Sequence, residues 1–427
     1  MRLSLPRPGA GSRGFVYLLT GTIGAQTISL ATLPVVSRLY SPEEFGRYAL
    51  IVALAAAIAP VATMRLESAA MLPTGVEQVR ALVWLCATAI LLTSILYAVG
   101  IAIAGIVGVS SLHNDSAIPL WVALMVSLTG LFTLLSQISL REAMFELVAK
   151  RTFYRALATS IVQIAWGMAA PASGGLVAGQ SFGNCLGIGT MVRRTRSMWR
   201  RPPSGSMSAA LREYWRFPAV FAPSGLLNAF GLQAPLFFFV AFFGAAVGGQ
   251  LGMAERIVAA PLALVGIAAS QVFDTQISRT IREGSGLARS LYVGYSRRLA
   301  VAGVLVAVFG GLAGGMAIPW VLGDGWKLAG GLVQVLAVTA GVRLVASPTS
   351  RIIMLAQRSV ANLFVDGIRM TLLIASMLVC RLLDLGLYAS MWLVYSALTA
   401  TYVVTWCYGY RIAAAIDASG GEGAALR

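Results

Sequence analysis

Three places in an otherwise apolar sequence put ionisable side chains where they can do chemistry. Glu255 and Arg256 stand side by side in "GMAERIVAAPLALVGIAASQVF", residues 252–273, with Pro261 five positions further on. Asp366 and Arg369 are three apart in "LFVDGIRMTLL", and Arg343 stands without a carboxylate within a turn in "LAVTAGVRLVASP". A guanidinium keeps its charge when desolvated and grips a phosphate through two parallel N–H donors. Arg256, Arg369 and Arg343 are therefore candidate ligands for an anionic, phosphate-bearing substrate. The carboxylates of Glu255 and Asp366 are the candidate places for coupling to protons or sodium.

Spacing separates these groups. Neighbouring residues on a helix point about 100° apart, so Glu255 and Arg256 cannot neutralise each other side by side. At least one of them needs water, another helix or a ligand. Asp366 and Arg369 share a helical face, where an intrahelical ion pair forms easily. Arg343 lies a turn from the basic end of its segment, near enough to extend its head towards water.

The elements that must position these residues follow from composition. Of 427 residues, 58% are hydrophobic and 11% charged, against roughly 25% charged in an ordinary soluble domain. Apolar stretches of about 20 residues, each enough to cross a hydrocarbon core of ~30 Å as a helix, follow one another along the chain. Windows of this kind predict an all-α membrane protein with about twelve transmembrane helices: 14–37, 47–64, 81–108, 118–140, 155–171, 176–192, 217–242, 250–273, 299–322, 328–347, 359–380 and 387–408. The first run, Phe15 to Ser37, follows Arg2, Arg7 and Arg13. It is too long for the apolar region of a secretory signal and reads as the first span.

Cation placement orients the spans. Of the 32 Lys and Arg, only Arg38, Arg47, Lys327 and Arg381 fall on the side opposite the N-terminus, and Arg256, Arg343 and Arg369 fall within spans. The positive-inside rule then puts both termini in the cytoplasm. A basic stretch, "RRTRSMWRRPPSGSMSAALREYWRF" (193–217), stands in the middle. It suggests two pseudo-repeated six-helix halves around a central cavity, residues 1–195 and 217–408, joined by a cytoplasmic linker at 196–216 and followed by a tail at 409–427. Prolines support the repeat: Pro34 and Pro60 recur as Pro235 and Pro261, and Pro119 as Pro319. Helix-breaking residues at matched places suit a transporter built from two halves.

Several function classes are disfavoured. The net charge of +16 is spread along loops between spans, which topology explains better than nucleic acid does. No Walker-type loop is present, so ATP is not the direct energy source. The outer loops, the longest around Ser110 to Ala117, are too short for an enzyme joining sugars at the outer face. Cys86, Cys185, Cys380 and Cys407 are isolated and His113 is the single histidine, a pattern that speaks against a zinc site or a disulfide framework and for small buried hydrophobes. No metal or cofactor is expected. Gln26, Gln137, Gln163, Gln180, Asn184, Asn228, Gln233 and Asn362 lie within spans, where amides ordinarily bond one helix to the next.

Between the first two spans, "SRLYSPEEFGRYAL" (37–50) reads as an N-cap at Ser41, proline at the first helical position and acids in the first turn. Phe45 is expected at the membrane interface and Gly46 at a close helix contact. This stretch resembles the first external loop of bacterial polysaccharide exporters of the oligosaccharide flippase family. Their superfamily includes the multidrug and toxic compound extruders and the lipid II flippases. "MRLESAAMLP" (64–73) is similar to the Arg-Xaa-Glu segment these exporters carry after the second span. "ERIVAAPLALVGIAASQVFDTQISR" (255–279) resembles the segment opening their second half. The resemblance implies that Arg256, with Glu255 beside it, stands where lipid II flippases carry an arginine facing the cavity. The arginines those flippases hold in the first two spans have no counterpart here, Arg65 lying too near the cytoplasmic end, which disfavours lipid II itself.

The resulting expectation is a transporter of the bacterial inner membrane, not an enzyme. It would move undecaprenyl-diphosphate-linked oligosaccharide to the periplasmic face for O-antigen, capsule or exopolysaccharide synthesis. Membrane lipids and a polysaccharide polymerase are its expected partners. A drug or cation antiporter of the same superfamily and a non-transporting assembly scaffold remain open as alternatives.

Overall fold

Lipid offers no hydrogen-bond partner, so a chain this apolar must satisfy its backbone within helices. In the computed structural model, which describes residues 10–108, 116–170, 172–284, 286–355 and 359–418, the elements are helical and no strand occurs among the described residues. In chain order they are α1 (Ala10–Ala31), α2 (Leu33–Leu39), α3 (Pro42–Ala62), α4 (Leu66–Ala69), α5 (Val76–Ile106), α6 (Ile118–Arg141), α7 (Phe145–Ala169), α8 (Ser173–Cys185), α9 (Ile188–Arg194) and α10 (Ser206–Glu213). They continue as α11 (Ala222–Glu283), α12 (Ala288–Leu322), α13 (Lys327–Thr349), α14 (Arg351–Leu355), α15 (Ser359–Leu382) and α16 (Leu387–Ala418). His113 lies outside the described residues.

Each of the twelve apolar windows is helical over most of its described length, the sixth being broken at Leu186–Gly187 between α8 and α9. Among the described residues eight stretches are long and apolar enough to cross a membrane by length and composition, among them Val76–Ile106, Ala288–Leu322 and Leu387–Ala418. The others carry more polar sequence: α7 holds Arg151 and Arg155, α15 holds Asp366 and Arg369, and α8 is short. After a π-helical turn at Phe217–Phe221, the rest of the seventh window and the whole of the eighth belong to one 62-residue helix, α11, whose backbone leaves helical geometry at Gly244 (φ 86°, ψ 170°). A side chain would strain that conformation, and glycine divides the helix into two rods there.

Several helices outrun their windows at the basic ends. α7 starts at Phe145, α12 at Ala288, and α16 runs to Ala418. Hydropathy senses only the hydrocarbon depth, whereas Lys150–Glu146 (2.7 Å) and Arg279–Glu283 (2.6 Å) pairs continue the helices beyond it.

The chain forms two compact units, Met1–Gly249 and Gln250–Arg427. In the first, α7 packs on α1 and α8, and α6 on α3 and α5. The start of α3 is set by a capping box: Ser41 Oγ accepts from the Glu44 N–H (3.3 Å) and the Ser41 N–H donates to Glu44 Oε2 (2.8 Å). Gly46 answers its expectation. A Cβ there would overlap the Ala245 carbonyl, and one on Gly249 would overlap the Pro42 carbonyl. Phe45, however, is 2% exposed and edge-on to Tyr48 at 5.5 Å.

The basic segment between 193 and 217 is folded. Its helix α10 and the turn at Arg196–Trp199 lie on α5, burying Met198 and Ala210 beside Val79, Leu82 and Val83. Arg80 Nε donates to the Ser197 carbonyl (2.9 Å), fixing that turn. In the second unit α12 and α13 pack along their length, and Phe273, Ile277, Tyr292, Ile353 and Ile412 form a core. The Asp417 carboxylate, at the end of α16, accepts from the Ala288 (2.8 Å) and Arg289 (2.9 Å) N–H groups that open α12.

Candidate functional site

Glu255 and Arg256 lie on the second rod of α11, past the Gly244 break. As their spacing requires, Glu255 takes partners from elsewhere. Its Oε1 accepts from the Tyr395 hydroxyl of α16 at 2.8 Å, and the positive charge of Arg343 on α13 acts on the same carboxylate. Tyr395 is itself buried and held in place: its carbonyl accepts from Thr339 Oγ1 of α13 (3.2 Å) and from Thr399 Oγ1 (2.8 Å), with the two hydroxyls 2.9 Å apart. Hydroxyl bonds of this kind join helices where the alternative is an unsatisfied group in hydrocarbon.

Arg256 is half-buried and makes no ion pair or hydrogen bond with a described residue. Arg343 is exposed on α13. One cation, Arg343, thus acts on a carboxylate that a phenol already engages, while Arg256 beside it points elsewhere. Asp366 and Arg369 form the intrahelical pair their spacing allows, at 2.8 Å on α15. Arg369 is 9% exposed. The structure therefore gathers Glu255 with Arg343 and Tyr395, and holds Asp366 with Arg369.

A second polar cluster lies in the first unit. Arg151 and Arg155 count as loop cations on hydropathy grounds, yet they sit on α7 with Arg151 4% exposed. Both guanidinium groups lie over Phe132 of α6, 4.0 and 5.5 Å from its centroid. Their spacing of four, one helical turn, is the sequence signal that locates them on one face. The amides expected to bond helices together do so nearby. Gln163 Nε2 donates to the Leu176 carbonyl (2.9 Å), Gln180 Oε1 accepts from Tyr48 (3.3 Å), and Asn184 Oδ1 accepts from Arg155 (3.1 Å). Just outside the first span, Tyr40 donates to the Gln163 carbonyl (2.8 Å), and burial together with the Glu44 carboxylate pushes its phenol pKa up.

Among the described residues no cluster of three or more His, Cys, Asp or Glu has the arrangement of a metal site. In the second resembling segment Met64 and Arg65 form a left-handed turn (φ 53° and 57°), and Glu67 after it is 3% exposed.

Residues 35–330 match a family described as "Polysaccharide biosynthesis protein". No curated protein is significantly similar to the chain in sequence. Solved structures share its fold. A mutant of the Vibrio cholerae MATE transporter VcmN superposes with a TM-score of 0.59 at 11% identity, over 98% of this chain and 99% of that one. An inward-facing multidrug resistance MATE family transporter of the MOP superfamily gives 0.57 at 12%, over 95% and 96%. A MOP superfamily transporter from Pyrococcus furiosus, described as having a binding pocket of reverse polarity that suggests a different function, gives 0.55 at 12%, over 94% and 96%.

Proposed function

The chain belongs to the polysaccharide biosynthesis protein family, and from that premise we propose that it flips undecaprenyl-diphosphate-linked oligosaccharide across the bacterial inner membrane by alternating access. It is a multi-pass transporter of the MOP superfamily, not an enzyme. The polar glycan and diphosphate enter from the cytoplasmic side while the polyprenyl tail stays in lipid. Both termini are cytoplasmic, and the two six-helix halves, 1–195 and 217–408, are joined through 196–216.

The observation that carries this reading is Arg256. A charge at bilayer depth costs at least ~2.5–3.5 kcal/mol, and this half-buried guanidinium has no carboxylate of its own because Glu255 bonds to Tyr395. A substrate diphosphate would supply the missing charge. Arg343, already acting on Glu255, assists, and Arg369 contributes if its pair with Asp366 opens. Glu255 and Asp366 are the groups through which a proton or sodium ion would drive the cycle. The relative from Pyrococcus furiosus shows by its description that pocket polarity varies within the superfamily, and cations in place of pathway carboxylates would separate a diphosphate carrier from a drug or cation antiporter.

The test is the amount and sidedness of lipid-linked oligosaccharide in cells with and without the protein, read by mass spectrometry and an outer-face glycan-modifying probe. Cytoplasmic-face accumulation relieved by wild type, but not by Arg256→Ala present at equal membrane level, is the expected result. Full export by Arg256→Ala overturns the assignment of that residue. Normal outer-face levels without the protein, in a strain with no redundant flippase, overturn the substrate.

A further inference from the structure

The second cluster is unusual in what it lacks. Arg151 Nε donates to the Leu186 carbonyl (3.0 Å) and Nη2 to the Asn184 carbonyl (2.6 Å). These carbonyls close the C-terminal end of α8, where Gly187 turns the chain in the left-handed region. A guanidinium at a helix C-terminus satisfies orphan carbonyls and the negative end of the dipole, so these two bonds are architectural. Arg155 Nη1 donates to Asn184 Oδ1. That leaves Arg151 Nη1 and Arg155 Nε buried without a partner, and no carboxylate among the described residues pairs with either arginine. Two like charges a turn apart repel each other, and burial adds to the cost. Phe132 beneath them offsets only part of this.

Around the two free donors stand groups that accept or donate without charge. Tyr48 of α3 is near enough to act on Arg155 electrostatically, and Gln180 and Asn184 of α8 complete the surround. We infer that Arg151 and Arg155 form a second anion site, within the first unit, that takes a phosphate-type oxyanion: Arg155 is its principal ligand and Arg151, fixed on the end of α8, presents one N–H. A phosphate or diphosphate group satisfies both free donors and cancels the repulsion. The inference stands on this geometry and is independent of the role given to Arg256. The phosphate can belong to a prenyl diphosphate, to an anionic phospholipid or to the free anion.

The experiment uses the full chain in nanodiscs of zwitterionic lipid. Binding of inorganic pyrophosphate, farnesyl diphosphate and phosphatidylglycerol is followed separately by thermal stabilisation and native mass spectrometry. Saturable binding of at least one probe is expected, weakened at least tenfold by Arg155→Gln and less by Arg155→Lys. The probe that binds best identifies the source of the phosphate. Hydrogen exchange on the wild-type protein keeps the test independent of whether Arg155→Gln folds: the bound probe should slow exchange in peptides covering 145–158 and 180–187. No binding of any probe, affinity unchanged by Arg155→Gln, or unchanged exchange in those peptides overturns the site.

Discussion

In the first unit Arg151 and Arg155 rest on one phenylalanine ring and are met by backbone carbonyls and an amide. In the second, Glu255 is met by a phenol from α16 and by the charge of Arg343 from α13. The two clusters hold charged side chains by different means. A carbonyl cannot change its charge, so the first cluster has one electrostatic state until an anion arrives. A carboxylate hydrogen-bonded to a tyrosine can take up or release a proton, so the second has two. The first therefore suits holding a ligand in place, and the second suits switching.

Substitutions can sharpen or break this contrast. The largest loss is expected from Arg151→Met, which removes two charge-assisted bonds to the end of α8 and should destabilise the protein by about 3 kcal/mol, read as a lowered melting temperature in detergent. Tyr395→Phe leaves Glu255 without its donor, at about 1–2 kcal/mol, and should shift the pH dependence of transport, which Arg151→Met should not. If both variants shift stability alone, the contrast between a fixed and a switching cluster fails. Asp417→Ala removes the cap of α12 and should cost about 1 kcal/mol. Thr339→Val, breaking one interhelical hydroxyl bond beside Tyr395, should cost about 0.6 kcal/mol while leaving export intact in the same sidedness assay.

The parts of this arrangement legible in the sequence are those fixed by local geometry. The Ser41–Glu44 capping box and the Asp366–Arg369 pair depend on residues three apart, and both are present at bonding distance. The incompatibility of Glu255 with Arg256 is equally local. Tyr395 and Arg343 as partners of Glu255 were hidden because they come from helices 140 and 88 positions away, and no periodicity links them. Arg151 and Arg155 were concealed for another reason. A hydropathy window ends where cations begin, so it assigns a basic helix end to a loop, although Arg151 is almost wholly covered. Phe45 was placed at the interface by its position in a loop between spans, and only packing shows that it turns inward.

The clearance between Gly46 and Gly249 bears on how this sequence can drift. On faces such as those of Leu96, Ile106 and Trp320, 70%, 80% and 84% exposed, hydrocarbon accepts almost any apolar side chain, and exchange leaves little trace in fitness. At 46 and 249 a single methyl meets a backbone carbonyl that has nowhere to retreat. Mutations at the first set of positions accumulate freely, while those at the second should be purged whatever glycan is carried. An alignment of distant relatives anchored on these two columns, instead of on hydrophobicity, would place its gaps in the true loops and recover common descent after nearly every other letter has changed.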